Sequence, residues 1–274
     1  MKKRKITPGY LLSRALLVFF AAVGIIPFIL TIYFSLRNDV ELATNFWGKP
    51  DMLHWDNYAV AFKGIGAPMF RSISISLTAI AGLVIISSFT TYVFARMKFK
   101  GKEIIYTMYT LVLMIPGVLT ITPMFMIINK LHMLGSYWAV ILPYIAWWQV
   151  MGINIMRSSY EEIPEELFES ARVDGAGDFR CFFMMALPLT KASLITVGIT
   201  ALLSYYNDYI WPTLVLDGGK KLFSMFVVEL GSGNSSDFGI TSAAYVIGSI
   251  PLIVAMSLCM KQYLQGTMVG AIKG

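Results

Sequence analysis

The sequence is poor in charged residues: Asp, Glu, Lys and Arg make up 14% of its 274 residues, whereas 57% are hydrophobic. Ordinary soluble domains carry about 25% charged residues. This deficit excludes a water-soluble single domain, and the mean hydropathy of +0.66 indicates that most of the chain faces lipid. Proline, at 11 residues, is too sparse for a disordered or fibrous chain.

Cysteine and histidine are scarce as well, with two residues of each. Cys181 and Cys259 cannot form a disulfide framework, and no Cys/His cluster has the spacing of a zinc site. His54 and His132 fall in predicted loops, and neither H-E-x-x-H nor G-x-S-x-G occurs, which argues against an intramembrane enzyme. We therefore assign no catalytic residue and no metal ligand.

A nucleotide-binding loop is also missing. The pattern G-x-x-x-x-G-K-[ST] occurs nowhere, and "GGKK" at 218–221 lacks both the upstream glycine and the following Ser or Thr. The net charge of +6 does not indicate a nucleic-acid partner, because the Lys and Arg residues flank apolar runs.

Six runs are long and apolar enough to cross a membrane, which needs about 20 residues as a helix. They are Ala15–Leu36, Ser72–Ala95, Ile104–Ile128, Ser136–Met156, Ala192–Leu216 and Thr241–Met260. Several spans carry proline, at positions 27, 116, 123, 143, 212 and 251, which indicates either ordinary kinks or a moving gate. The sequence thus predicts an all-α polytopic membrane protein with six transmembrane helices.

Basic residues predict the orientation. One set of alternate segments holds fifteen Lys and Arg and the other holds six, with Arg71 at a membrane edge. Cytoplasmic loops retain the larger share. Both termini are therefore expected in the cytoplasm, and loops 37–70, 129–135 and 217–240 on the outside.

The predicted cytoplasmic segment 157–191 is too long for a simple turn. Acidic residues surround Pro164, helix formers run to Val173, and Gly175 follows, which is the start and stop pattern of a short helix. A second short helix is expected to begin with Asp178 as its N-cap and to stop before Pro188. Phe182 and Phe183 are expected to pack on the bundle, and the corner 169–175 to form a docking surface.

The run "ESARVDGAGDFRCFFMMALP" resembles the EAA signature of ABC-transporter permeases. Every spacing of that signature agrees, with Ser170 in place of Ala and Met185 in place of Ile. The residues at the signature positions are Glu169, Ser170, Ala171, Gly175, Met185, Leu187 and Pro188. Four further blocks, "TYVFARMKFKGK", "LGSYWAVILPYIA", "SYYNDYIWPTLVL" and "GAIKG", are similar to carbohydrate permeases of the maltose-transporter type, in particular the smaller six-span subunit.

The resemblance implies a type I ABC importer permease: one transmembrane domain over residues 1–274, with segment 157–191, here called the EAA loop, as its cytoplasmic coupling-helix loop. It implies a bacterial cytoplasmic membrane protein that pairs with a second permease, two cytoplasmic ATPase subunits and an extracytoplasmic sugar-binding protein. ATP and Mg would be held by the ATPase partner, and this chain would bind no cofactor. The tail Gly270–Gly274 is expected near the ATPase, on the resemblance alone.

The resemblance also implies how the EAA loop works: closure of the ATPase dimer would move the helix at 169–175 and tilt the spans. Gly175 is expected in a tight left-handed turn. Asp174, part of the same corner, either caps the following helix or pairs with an ATPase arginine.

Polar groups inside spans are costly, so they usually face a cavity or another helix. The candidates for a substrate path are Gln149, Asn154, Ser204, Tyr205, Asn207, Asp208 and Trp211. Sugars are bound by planar hydrogen-bonding groups together with aromatic faces. The alternatives are an interfacial aromatic belt and an Asp208 that bonds within the bundle. Of Trp147 and Trp148, at most one is expected to face a cavity.

An ion-driven secondary transporter is the remaining alternative class. Such carriers tend to show paired broken helices and buried ionisable groups, whereas Asp208 is the only acidic residue well inside a predicted span. The sequence does not distinguish among maltooligosaccharides, raffinose-like sugars and glycerol phosphate as substrates.

Overall fold

A computed structural model describes residues 8–232 and 237–271. Helix is the only regular secondary structure within these ranges. The α-helices are α1 Pro8–Ser35, α2 Asp39–Thr44, α3 Asp56–Arg96, α4 Lys102–Leu111, α5 Gly117–Lys130, α6 Trp138–Trp147, α7 Gln149–Glu161, α8 Glu165–Val173, α9 Asp178–Cys181, α10 Leu187–Leu189, α11 Lys191–Asn207, α12 Ile210–Val215, α13 Phe223–Ser232 and α14 Phe238–Ala271. Basic residues 2–5 and 273, and most of the tail Gly270–Gly274, lie outside the described residues.

The predicted fold class is confirmed. Three single helices, α1, α3 and α14, are long and apolar enough to span a membrane. Three further pairs pass the same test when each bent pair counts as one span, which brings the number to six. These pairs bend by 101° between α4 and α5, by 42° between α6 and α7, and by 72° between α9–α10 and α11.

The chain divides into two compact units. One comprises the residues up to Gly66 together with Val227–Ser249, and the other comprises Ala67–Phe226 together with Ile250–Gly274. The second unit contains both candidate sites. Its core lies where α3, α6, α7 and α11 pack, with Leu83, Val140, Met156 and Val197 fully buried.

In the first unit, the predicted loop 37–70 is wrong in its second half, because α3 already begins at Asp56. The remainder is ordered around Arg37, whose side chain is 1% exposed. Its guanidinium donates hydrogen bonds of 2.7 Å to the carbonyls of both Asn45 and Phe46. Asn38 caps α2 by accepting from the amide of Glu41 at 2.8 Å. These contacts give the segment the order that its polar composition did not predict.

The third predicted span is not one continuous helix, which corrects the prediction. Ile115 and Pro116 have extended ψ angles of 117° and 125° between α4 and α5. A proline disfavours the helical conformation of the residue before it. The 101° bend therefore has a local cause in the sequence.

The fifth predicted span is also broken, at Asp208, whose ψ angle is 124°. Pro212 has no amide proton with which to bond the carbonyl of Asp208 four residues earlier. The hydroxyl of Ser224 donates to that carbonyl instead, at 2.6 Å. A neighbouring segment thus satisfies the group that proline leaves free.

Pro143 in α6 is accommodated in the same way. It leaves the carbonyl of Ala139 without its helical partner. Nε1 of Trp211 donates a 3.0 Å hydrogen bond to this carbonyl, and the Trp211 side chain is 1% exposed. At these two prolines the structure favours ordinary membrane-helix kinks with internally satisfied carbonyls.

Candidate functional site

The EAA loop contains the two predicted helices. The first is α8, Glu165–Val173, with Glu165 and Glu166 in its first turn and Arg172 in its last. These charges complement the helix dipole. Phe168 is fully buried, whereas Glu169, Ser170 and Asp174 are exposed and Ala171 is half-buried.

The α8 helix ends in a Schellman motif centred on Gly175. The amide of Ala176 donates to the carbonyl of Ala171 at 2.9 Å, and that of Gly175 donates to the carbonyl of Arg172 at 3.0 Å. Gly175 has φ +82°, and a Cβ added there would meet no atom within 4 Å. The expected left-handed turn is present, and its demand for glycine comes from the backbone rather than from crowding.

The second helix differs in two respects from the prediction. Gly177, not Asp178, is the N-cap of α9, and no side chain caps that helix, so the capping role for Asp174 is wrong. The helix does not stop before Pro188 either. A π-helical segment at Phe182–Ala186, in which the amide of Leu187 bonds the carbonyl of Phe182, carries the chain through Pro188 into α10.

The second helix packs on α3 through aromatic side chains. Phe182 is 2% exposed and stacks on Phe89 with ring centroids 4.2 Å apart. Phe183 also touches Phe89, edge to face at 5.6 Å, but is 53% exposed. Packing on the bundle is therefore complete for Phe182 and partial for Phe183. Of the other signature residues, Met185 and Leu187 are half-buried, and Pro188 is exposed.

A separate cavity of about 330 Å³ lies in the second unit between the end of α6 and the end of α11. Aromatic and polar side chains line it together. The lining residues are Tyr144, Trp147, Trp148, Ser204, Tyr205, Asn207 and Asp208.

Two tyrosines and Asp208 form the rigid wall of this cavity. The rings of Tyr144 and Tyr205 stack at 4.4 Å with an interplanar angle of 7°. Tyr144 donates a 2.8 Å hydrogen bond to Oδ2 of Asp208, and Tyr205 donates one of 2.7 Å to the carbonyl of Tyr144. Oδ1 of Asp208 accepts from the amides of Ile210 at 3.1 Å and Trp211 at 3.4 Å, at the start of α12.

Four of the seven predicted path residues meet in this cavity: Ser204, Tyr205, Asn207 and Asp208. The other three do not line it. Gln149 is buried and accepts from Ser87 at 3.0 Å, while Asn154 accepts from Tyr106 at 2.5 Å. Trp211 bonds the carbonyl that Pro143 frees. In one continuous helix the i, i+3 spacing of Asp208 and Trp211 would place them on one face, but the helix breaks between them.

Tyr144 was not among the predicted path residues, and the expectation that at most one of Trp147 and Trp148 faces the cavity is wrong. Both Trp147 and Trp148 line the cavity, because the α6 helix ends at Trp147 and α7 starts beyond Trp148 with a 42° change in direction. The rule of 100° between successive side chains holds only within one regular helix. Neither proline nor glycine occurs between Tyr144 and Gln149, so no local pattern marks this break.

The cavity lining offers groups of the kind that bind polar, uncharged solutes. Ser204 and Asn207 are exposed and offer hydroxyl and amide groups, and the indoles supply apolar faces. Asp208 already uses both carboxylate oxygens within the bundle. Hydrogen-bonding side chains and aromatic faces around one cavity are typical of small-molecule sites.

Helical spans, a cavity lined by aromatic and polar side chains, and a structured two-helix loop between spans are together typical of membrane permeases. The chain belongs to the family described as the inner membrane component of binding-protein-dependent transport systems, which matches residues 84–267. The fold is similar to that of a bacterial ABC transporter that imports the acidic polysaccharide alginate: the TM-score is 0.80 at 18% identity, covering 95% of this chain and 98% of that one.

Three curated relatives are similar over most of their length. The arabinooligosaccharide permease AraQ of Halalkalibacterium halodurans is 28% identical, covering 99% of this chain and 100% of the relative. The galactooligosaccharide permease GanQ of Bacillus subtilis is 28% identical, covering 96% and 95%. The diacetylchitobiose permease NgcG of Streptomyces coelicolor is 27% identical, covering 89% and 82%.

Proposed function

We propose that this permease forms half of the transmembrane pathway of an ABC importer for a sugar or oligosaccharide. The observation that carries the proposal is the EAA loop, a two-helix unit with an exposed corner at the left-handed Gly175. Saccharides as substrates are supported by the named substrates of the three relatives. The cavity beside Asp208 is the part of the pathway that would contact the solute.

The partners in this proposal are a second permease, two ATPase subunits and an extracytoplasmic sugar-binding protein. ATP and Mg would be bound by the ATPase subunits. A related fold occurs in an alginate ABC transporter solved in complex with an oligosaccharide-bound periplasmic protein. The EAA loop would then lie in the cytoplasm against the ATPase, and both chain termini would lie on the same side, as the distribution of Lys and Arg predicts.

The EAA corner has the chemistry of a docking surface for a soluble subunit. Val173 is 88% exposed and Phe179 is 75% exposed, next to the charged side chains of Glu169 and Asp174. Large apolar residues among charges are typical of contact surfaces between subunits. This surface is compatible with a groove on an ATPase and not with lipid, because the acidic groups would have to be desolvated.

Uptake into proteoliposomes tests the proposal. The complete complex is expected to accumulate sugar only when ATP and the loaded binding protein are both present. Omission of ATP, omission of the binding protein and an ATPase with an inactivated nucleotide site serve as controls. Accumulation driven by a proton or sodium gradient without ATP would instead support a secondary transporter.

A further inference from the structure

The last two turns of α3 carry both halves of the EAA loop. Tyr92 of α3 packs on Phe168 of α8, with ring centroids 6.3 Å apart, and on Phe182, at 5.4 Å. Phe89, one turn earlier, stacks on Phe182 as well. The loop therefore rests on a span that is distant from it in sequence, in addition to the two spans that it joins.

Arg96, the last residue of α3, makes the polar contacts of this junction. Its guanidinium donates to the carbonyl oxygens of Tyr160 and Ile163 and, at 3.1 Å, to Oε2 of Glu165. It also lies over the ring of Phe168, 4.6 Å from the centroid. One side chain thus connects the end of α7, the turn after it and the first helix of the loop to α3.

These contacts need an arginine. The carbonyl of Tyr160 is among the last four of α7, which have no partner within the helix. The planar guanidinium presents five donors in a fixed fork and stacks on aromatic faces, whereas a lysine ammonium does neither. The Arg96 side chain is only 8% exposed, whereas that of Glu165 is 52% exposed, so the ion pair itself contributes little to stability and the contacts to the two carbonyls and to Phe168 define the geometry.

We propose that Arg96 is a positioning residue that fixes the EAA loop to α3, so that the two move as one body. The inference rests on the proposed coupling function, because the loop would receive motion from the ATPase and Arg96 would pass it to α3. With this contact, α3 would move together with the EAA loop when the ATPase binds nucleotide, in addition to the two spans that the loop joins.

The test uses the complete complex in lipid, with Cys181 and Cys259 replaced by alanine. Spin labels at E166C, on the exposed first turn of α8 and outside the corner 169–175, and at I85C, on the exposed face of α3, report the distance between loop and span. In the parent complex we expect one narrow distance, unchanged between the nucleotide-free and ATP-bound states. In Arg96→Ala we expect a broad distribution and at least a tenfold loss of ATPase stimulation by the loaded binding protein, with basal hydrolysis retained.

Arg96→Lys and Lys98→Ala make the result specific. Arg96→Lys keeps the charge and is expected to recover assembly but only part of the stimulation, and it decides the question if Arg96→Ala does not assemble. Lys98 is exposed two residues further on, so Lys98→Ala is expected to behave like the parent. The proposal would be overturned if Arg96→Lys kept a narrow distance and full stimulation, and if any Arg96→Ala complex that assembles did the same.

A parent complex without stimulation would contradict the coupling function instead. The distance measurement would still decide whether Arg96 fixes the loop.

Discussion

Tyr144 and Asp208, 64 positions apart in the sequence, are joined by a 2.8 Å hydrogen bond from the phenol to Oδ2 of the carboxylate. The other carboxylate oxygen accepts from two amides at the start of α12. Asp208 therefore holds the broken helix in place and, through Tyr144 and the stacked Tyr205, one wall of the cavity. Asp208, the acidic residue inside the fifth predicted span, therefore has a structural role. Its presence does not indicate a carrier driven by an ion gradient.

Asp208→Ala is expected to destabilise the permease, whereas Asp208→Asn is expected to be tolerated. Alanine removes the acceptor of the first two amides of α12, worth about 1 kcal/mol, and leaves the Tyr144 hydroxyl without its acceptor, worth about 1–3 kcal/mol. The asparagine oxygen still accepts from these amides, and its amide can donate to the phenol. Thermal unfolding of the purified complex measures the difference. Equal midpoints for the two variants would contradict this role.

The sequence predicted the apolar spans and the EAA loop because both depend on local patterns. Gly175 after Val173 identified the end of α8, and the runs of apolar residues identified six membrane elements. The breaks at Trp148 and Asp208 were missed, since a helical pattern assumes an unbroken helix. Their partners are tertiary: Ser224 bonds the carbonyl of Asp208, and no local pattern predicts that contact.

Trp211→Phe tests whether this side chain is structural or part of the solute path. Phenylalanine keeps the ring but leaves the carbonyl of Ala139, which Pro143 has freed, without its donor. We expect a loss of about 1–3 kcal/mol in stability and no change in the amount of sugar moved per ATP. Unfolding midpoints and coupled uptake measure the two quantities. If the variant moves less sugar per ATP at unchanged stability, Trp211 is part of the solute path after all.

Trp148→Ala is expected to impair movement of the solute without affecting the ATPase. The indole lines the cavity and contacts Tyr205 edge to face at 6.3 Å. Loss of an aromatic contact worth about 1 kcal/mol corresponds to about fivefold weaker binding of the sugar in the cavity, which we expect to lower the rate of uptake. Trp138→Ala is the control, because Trp138 is 53% exposed at the start of α6 and does not line the cavity. A similar loss of uptake in Trp148→Ala and Trp138→Ala would show that the cavity has no particular role in transport.

Single cysteines test the orientation. In a background without Cys181 and Cys259, a membrane-impermeant maleimide is expected to label G219C in intact cells and K100C only in inverted vesicles. Both positions are exposed, and a Cβ at Gly219 meets no atom within 4 Å. The expectation follows from the excess of Lys and Arg on the side of Lys100. The reverse pattern would place the EAA loop outside, where no ATPase can reach it.

Substitutions at Gly175 test coupling through the EAA corner. At φ +82° a β-branched residue is strained by about 1–2 kcal/mol, whereas asparagine adopts this conformation more readily. Gly175→Val is therefore expected to insert and assemble but to lose ATPase stimulation by the loaded binding protein, and Gly175→Asn to retain most of it. Gly177→Val is a matched control, since Gly177 has an ordinary φ of −74° and the same open surroundings. If Gly175→Val is stimulated normally, or if Gly177→Val loses as much, the left-handed turn is not what transmits the motion.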